Sequence, residues 1–239
     1  MARSLFEGEL DRLRQELLSL GDTVCQALTD SVEVLLGQDH VRARALIRGD
    51  AVINERRFRI ESDCLTLVAT QQPMARDMRV LAAMLEIATE LERTGDYAKG
   101  VGRICVLIGD RPIGDVAEFR PMVAKVTNML GRALQAFATS DVEAARAIPR
   151  EDDEIDAYYN TVYRRLLQAM AADPSFVDEG SQLMWAAHNY ERAGDRVTNI
   201  CERVIFMVTG EMSEMDSEDG YLPGEPSAQA RSPGDRCPK

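Results

Sequence analysis

Apolar residues recur at steps of three and four along most of the chain, which is the period of an amphipathic helix. The first such segment runs from about Ser4 to Leu36 and predicts one long helix. Its expected inward face consists of Leu13, Leu17, Leu20, Val24, Leu28, Ser31 and Leu35. Since six of these seven residues are apolar and only Ser31 carries a hydroxyl, this face is expected to pack in the core.

Punctuating residues then divide the rest of the first half. Gly37 predicts the end of the first helix, and Asp39 predicts the N-cap of a short helix reaching Arg48. A second long helix is expected to open at Asp50, because Gly49 precedes it. The Gln-Gln-Pro stretch at 71–73 should end that helix, and a third one should extend to about residue 107.

The same order returns in the second half. Residues 109–121 contain two prolines and two glycines and predict a linker. Helices are expected over about 122–138, 152–172 and 176–208, with Asp141 as a further N-cap. The two halves match at a constant offset of 102 for four positions, where Asp39, Arg44, Asp50 and Ile53 correspond to Asp141, Arg146, Asp152 and Ile155.

A repeat of about 100 residues is too long for a solenoid unit and favours a duplicated helical bundle. The fold class predicted is therefore all-α, with two tandem, similar three-helix bundles. The first repeat covers residues 1–108 and the second covers residues 122–210, on either side of the linker over 109–121. Residues 211–239 are rich in acidic residues, Ser, Pro and Gly and predict a disordered acidic tail.

Charge and composition exclude several classes of function. A net charge of −12 argues against a nucleic-acid-binding face, which needs clustered basic residues. We find no run of about 18 apolar residues for a membrane span and no apolar signal core at the start, so a cytoplasmic protein is expected. The five cysteines form no CxxC pair, which favours buried thiols over a thiolate zinc site.

One motif, Glu-Arg-x-Gly-Asp, occurs at equivalent positions of the two repeats, as Glu92 to Asp96 and as Glu191 to Asp195. Carboxylates four residues apart lie on one face of a helix and can grip a cation together. Both pairs fall at the border of an apolar stripe, where an uncompensated charge is costly. The sequence therefore predicts a compensating partner, which is either a metal cation or an arginine.

The second helix of each repeat offers a matching pair, Asp50 with Asn54 and Asp152 with Asp156. Oxygen ligands of this kind suit hard or borderline cations such as Mg²⁺, Mn²⁺, Ca²⁺ or iron. A second interpretation stays open from the residues alone. In it Arg93 and Arg192 neutralise the carboxylates, while Asp50 and Asp152 only cap helices.

At these motifs the chain resembles the PhoU family of phosphate-uptake regulators. The resemblance rests on residues 91–96 with Arg79 upstream, on residues 190–200, and on the duplicated three-helix order. It implies two similar three-helix bundles that bind iron or zinc clusters through E/D-x-x-x-D motifs. The matching pairs are Glu92/Asp96, Glu191/Asp195 and Asp152/Asp156, whereas Asn54 stands where the motif has Asp.

The resemblance also implies a function. A protein of this family would be a non-enzymatic, cytoplasmic, commonly dimeric regulator that represses the phosphate-starvation response. Its implied partners are the ATPase of the phosphate ABC transporter and a membrane sensor histidine kinase. The alternatives are a metal-free helical adaptor and a carboxylate-bridged di-metal oxidase. The oxidase lacks support, because it needs Glu-x-x-His and the residues three before His40 and His188 are Gly37 and Trp185.

Overall fold

The computed structural model of this protein describes residues 2–212 and 215, with residues 2–4 described by their backbone alone. This part of the chain is helical and contains no strand. The α-helices are α1 (Ala2–Leu36), α2 (His40–Gln71), α3 (Ala75–Ile108), α4 (Phe119–Thr139), α5 (Val142–Ala147), α6 (Asp152–Ala172) and α7 (Val177–Thr209). Two short 3-10 segments, Ile148–Glu151 and Pro174–Phe176, precede α6 and α7.

The predicted inward face of α1 is confirmed. All seven of its residues, from Leu13 to Leu35, are fully buried. The hydroxyl of Ser31 lies 3.1 Å from the buried hydroxyl of Tyr190 on α7 and also donates to the carbonyl of Leu28. The one polar residue of the stripe is therefore satisfied by a contact between the two repeats.

The predicted break at Gly49 is wrong. Helix α2 continues through Gly49, and Asp50 lies inside it instead of capping a new helix. A glycine costs a helix only about 1 kcal/mol relative to alanine, which tertiary packing easily offsets. The equivalent stretch of the second repeat does break between α5 and α6, where Pro149 begins a 3-10 turn. Proline, unlike glycine, removes a helical hydrogen bond.

The predicted linker is three residues too long, because α4 already begins at Phe119. Pro121 does not prevent this, since the N–H groups of the first helical turn have no partner within the helix. The connection before α4 is tied to the second repeat. Arg165 of α6 donates to both oxygens of Glu118 at 2.8 Å, and Arg111 pairs with the buried Glu179 of α7 at 2.7 Å.

The two third helices, α3 and α7, pack antiparallel along most of their length at the centre of the molecule. Glu90 of α3 accepts hydrogen bonds from Arg196 and Asn199 of α7 at 3.3 and 3.2 Å. The first helices, α1 and α4, also contact each other, so one continuous core runs through both repeats. Within the described residues, α2 and α6 lie on opposite outer sides against their own repeat.

The predicted acidic tail, 211–239, lies outside the described residues except for 211, 212 and 215. Among the described helices, none combines the length and apolarity that crossing a membrane requires.

Two mid-helix glycines test the contact between α1 and α4. A Cβ added at the buried Gly21 of α1 would overlap the side chain of Leu134 on α4, whereas one added at Gly131 meets nothing within 4 Å. We expect Gly21→Ala to lower the free energy of unfolding by about 1–3 kcal/mol through overpacking. Gly131→Ala should raise it by about 0.5–1 kcal/mol through helix propensity. Urea denaturation of both variants measures this, and equal effects would contradict the packing described.

Candidate carboxylate sites of the two repeats

The mid-helix glycines of the repeated motif mark close contacts between the third helix and the second helix of each repeat. A Cβ at Gly95 would lie 2.9 Å from the Cδ1 of Ile53 on α2. A Cβ at Gly194 would lie 2.8 Å from both the Oδ1 of Asp152 and the Cδ1 of Ile155 on α6. Glycine therefore lets each third helix bring its carboxylates close to the aspartate of the second helix, Asp50 on α2 and Asp152 on α6.

In the first repeat a lysine lies at the centre of the predicted site. The Nζ of Lys99 donates to the Oδ2 of Asp50 at 2.7 Å and to the Oδ1 of Asp96 at 2.9 Å. The side-chain amide of Asn54 also donates to the Oδ2 of Asp50, at 2.9 Å. Asp50 is only 5% exposed. The hydrogen bond to Asp50, and next the one to Asp96, raises the pKa of Lys99.

The carboxylate of Glu92 lies beside this cluster. Burial raises the pKa of Glu92, and the negative charges of Asp96 and Asp50 raise it further, while Arg57 opposes them. The structure thus brings Asp50, Asn54, Glu92 and Asp96 into one region, as predicted. The ammonium group of Lys99, which links α2 and α3 in this region, was not predicted.

The arginines of the motif do not have the equivalent roles that we expected. Arg93 pairs with Glu90 at 2.9 Å, so it serves the contact with α7 and not the predicted carboxylate pair. Arg192 does pair with Asp195, at 2.6 Å. Only the arginine of the second repeat therefore neutralises a predicted site residue through an ion pair.

In the second repeat four carboxylates face one another across α6 and α7. Burial raises the pKa of Asp152 to about 7, and the charges of Asp195 and Asp156 add to the shift. Burial likewise raises the pKa of Glu191 to about 7, with Asp195 the next cause. The pKa of Asp156 is also raised, by burial and then by Asp195.

Two oxygens of this second cluster, the Oδ1 of Asp152 and the Oε2 of Glu191, are buried and have no hydrogen-bond partner among the residues that the structure describes. The Nδ1 of His188 lies 3.3 Å from that glutamate oxygen, but the pair does not form a hydrogen bond. Burial lowers the pKa of His188, and Arg192 adds to that shift, so the imidazole is a poor source of compensating charge. A buried anion without a partner is costly, and this cluster therefore favours a cation.

The two repeats differ in their suitability for a metal. Within the described residues, no three His, Cys, Asp or Glu side chains already surround a common point at metal-binding distances. In the second repeat the candidate donors are all oxygens, and two of them are buried without a hydrogen-bond partner among the described residues. The first repeat does not fit in the same way, because Asp50 and Asp96 already bind the ammonium of Lys99.

An aromatic face adjoins the second cluster. Trp185 of α7 is 61% exposed, and its ring lies 5.7 Å from that of His188, which in turn lies 6.5 Å from Tyr159 of α6. These residues, together with Ser181 and Met184, line a shallow pocket of about 420 Å³. We call this set the aromatic face, and His188 connects it to Glu191 of the carboxylate cluster.

A signal for Lys99 was present in the sequence. Lys99 lies three residues after Asp96, on the same helical face, and Thr198 occupies the equivalent place after Asp195. This difference between Lys99 and Thr198 indicates from the sequence alone that the two carboxylate sites differ in charge.

Comparison with known proteins places this geometry in context. The model of the PhoU domain matches residues 17–105 and 119–204. A phosphate-specific transport system accessory protein PhoU homolog from Clostridium acetobutylicum is 33% identical over 218 residues, covering 90% of this chain and all of the relative. A homolog of the same description from Pseudomonas aeruginosa is 33% identical over 208 residues, covering 86% of each chain.

Solved structures agree with these matches. The crystal structure of the phosphate transport system regulatory protein PhoU from Streptococcus pneumoniae superposes with a TM-score of 0.82 at 28% identity. The match covers 88% of this chain and all of that one. The crystal structure of PhoU from Pseudomonas aeruginosa gives a TM-score of 0.81 at 31% identity, covering 86% and 100%. The predicted two-repeat helical fold is confirmed by these likenesses and by the two matched segments.

The two aspartates at equivalent positions, the buried Asp50 and the half-buried Asp152, should respond in opposite ways to neutralisation. In chelator at pH 8 we expect Asp152→Asn to raise the melting temperature by about 2–4 °C, the effect of ~1 kcal/mol in a chain of this size. Asp50→Asn should lower it, because the ammonium of Lys99 then loses its main partner. Differential scanning calorimetry measures both shifts. A lower melting temperature for Asp152→Asn would mean that its charge is already compensated.

In chelator, the free energy of unfolding of the wild-type protein should fall as the pH rises from about 4 to about 8. Folded Asp152 and Glu191 hold their protons up to about pH 7, whereas unfolded carboxyl groups release theirs near pH 4. Their contribution to stability is therefore complete at low pH and is lost as the pH passes about 7. The fall should be smaller in Asp152→Asn, and an equal fall in both proteins would contradict this assignment.

Proposed function

The chain belongs to the PhoU family, and from this premise we propose that it is a cytoplasmic accessory regulator of phosphate transport which acts by binding other proteins. The observation that carries the proposal is the match of the PhoU domain to both repeats. Relatives that bear the accessory-protein description are covered over 86–100% of their length. A regulator that acts through contacts requires no catalytic group, and we therefore propose no enzymatic activity.

We further propose two partners, the ATPase of the phosphate ABC transporter and the cytoplasmic domain of the sensor histidine kinase. Through them the protein would repress the phosphate-starvation response. The aromatic face is our candidate contact surface. Exposed aromatic residues dominate the binding energy of many interfaces, because they bury a large area with few rotatable bonds. A homodimer remains a prediction that sedimentation analysis would test.

We propose that the second repeat holds a divalent metal ion, with Asp152, Asp156, Glu191 and Asp195 as its ligands. The two orphaned oxygens and the raised pKa values of these acids support this. When bound, the ion would supply the positive charge that this cluster lacks. Oxygen donors favour Mn²⁺, Mg²⁺ or iron over thiophilic ions, while zinc is also compatible with carboxylates.

The metal and the contact surface lie side by side in this proposal. His188 meets the ring of Trp185 edge-on and the ring of Tyr159 at a tilt, and its Nδ1 lies 3.3 Å from the Oε2 of Glu191. A change in the position or charge of Glu191 would therefore alter the surroundings of the aromatic face. Because the two sites are in contact through His188, metal binding would change the affinity of the aromatic face for a partner protein.

The regulatory proposal is tested by capture of the purified partners. We expect the protein to bind the transporter ATPase, the kinase domain or both, and Trp185→Ser to weaken the binding at least tenfold by removing an exposed aromatic anchor. Val41→Ser is the matched control, because Val41 is a 77% exposed apolar residue on α2. Biolayer interferometry gives both affinities. Binding of neither partner would overturn the proposal, and equal losses in the two variants would exclude the aromatic face.

The metal proposal is tested by elemental analysis of protein purified without chelator or histidine tag. We expect about one equivalent of divalent metal, which is lost in the triple variant Asp152→Asn, Glu191→Gln, Asp195→Asn. Circular dichroism establishes that the variant is folded. Absence of metal from the wild-type protein, with no uptake of added Mn²⁺ or Zn²⁺, would favour a metal-free helical adaptor instead.

A further inference from the structure

Lys99 and Thr198 occupy equivalent positions of the two repeats, and they give the two carboxylate sites different chemistry. We propose that Lys99 is the permanent cation of the first site, so that this chain binds a divalent metal in its second repeat alone. The inference rests on the metal site of the proposed function. It further states that the second-repeat site is the one open to a metal ion and that Lys99 closes the first-repeat site.

The ammonium of Lys99 lies where a metal bridging the two helices would have to bind. It donates to Asp50 of α2 and Asp96 of α3 at 2.7 and 2.9 Å. These two residues correspond to Asp152 and Asp195, which are ligands of the proposed metal. A metal ion that binds the Oδ2 of Asp50 and the Oδ1 of Asp96 together would have to displace this ammonium, which belongs to a side chain that is only 22% exposed.

Asn54 weakens the first site further. Where the second repeat has the carboxylate of Asp156, the amide of Asn54 donates to Asp50 through its Nδ2 atom at 2.9 Å. The Oδ2 of Asp50 thus accepts from both Lys99 and Asn54, and only its Oδ1 lacks a partner. The first site contains three carboxylates and an ammonium, whereas the second contains four carboxylates and no lysine.

Restricted access does not account for the difference. Asp50, Gly95 and Lys99 line a cavity of about 600 Å³ that is bounded by α1 and α2. An ion the size of Mn²⁺ can therefore approach the first site. The charge of Lys99 and the amide of Asn54 oppose its binding, and the inference can therefore be tested by substituting these two residues and by the reciprocal change at Thr198.

The experiment exchanges the two residues. The variant Lys99→Thr, Asn54→Asp gives the first site the residues of the second, and Thr198→Lys gives the second site the lysine of the first. Each chelator-stripped protein is titrated with Mn²⁺ by isothermal calorimetry, and its melting temperature is measured with and without Mn²⁺. The triple variant of the second repeat serves as the reference for loss of the proposed metal.

We expect about one equivalent of Mn²⁺ for wild type, two for Lys99→Thr, Asn54→Asp, and none for Thr198→Lys. In chelator the melting temperature of Lys99→Thr, Asn54→Asp should fall by about 4 °C or more, because Asp50 is left buried without a cation. Added Mn²⁺ should restore it. Thr198→Lys should melt at a higher temperature than wild type in chelator, since its ammonium would neutralise the carboxylates.

The outcomes separate this inference from the proposal that it extends. Two equivalents in wild type, one of them lost in Asp50→Asn, would overturn the inference and leave the metal function intact. No metal in wild type but one equivalent in Lys99→Thr, Asn54→Asp would support Lys99 as the residue that closes the first site, and it would overturn the second-repeat site of the proposed function. An unchanged melting temperature in Lys99→Thr, Asn54→Asp, with no gain of Mn²⁺, would overturn the inference whatever wild type binds.

Discussion

Glu90 of α3 is almost completely buried against α7, where it accepts hydrogen bonds from Arg196 and Asn199. This contact lies in the antiparallel packing of the two third helices, and the remaining architecture is arranged around that pair. The first helices close over it from one side and merge the cores of the repeats. The flanks of α3 and α7 that face away from each other are left to meet α2 and α6. Each repeated motif therefore lies between a central helix and an outer one.

That placement imposes a constraint on charge. The glycines of the motif bring the helices so close that Asp50 of α2 is buried and the Oδ1 of Asp152 on α6 is enclosed. A buried carboxylate requires a cation, a hydrogen-bond donor or a proton. The first repeat meets the requirement with Lys99 and Asn54. The second pairs only Asp195, with Arg192, and keeps Asp152 and Glu191 protonated to about pH 7 in the absence of a further cation. A duplicated sequence thus produces one self-neutralised site and one that retains a demand for positive charge.

Such an arrangement costs the second repeat stability, and costs of this kind concentrate at functional sites. The cluster also adjoins Trp185, whose exposure is unusual for a residue of its size in a single chain. The proposed metal would add charge beside the proposed contact surface, and such an arrangement suits a regulator of phosphate transport better than it suits a rigid scaffold. The first repeat, with its lysine in place, then acts as the constant half of the molecule.

The helical periodicity, the duplication and the paired acids were readable from the chain, because all three depend on spacing along one helix. The buried stripe of α1 and the meeting of the predicted site residues follow from that local information. Gly49 and Phe119 were assigned wrongly, since packing decides whether a weak helix former is tolerated. The partners of Arg93 and Lys99 were likewise beyond the sequence. Arg93 turns to Glu90 and the contact with α7, while Lys99 reaches an aspartate 49 residues away on α2. The distance between helices decides which basic residue pairs with which carboxylate, and only the tertiary structure sets that distance.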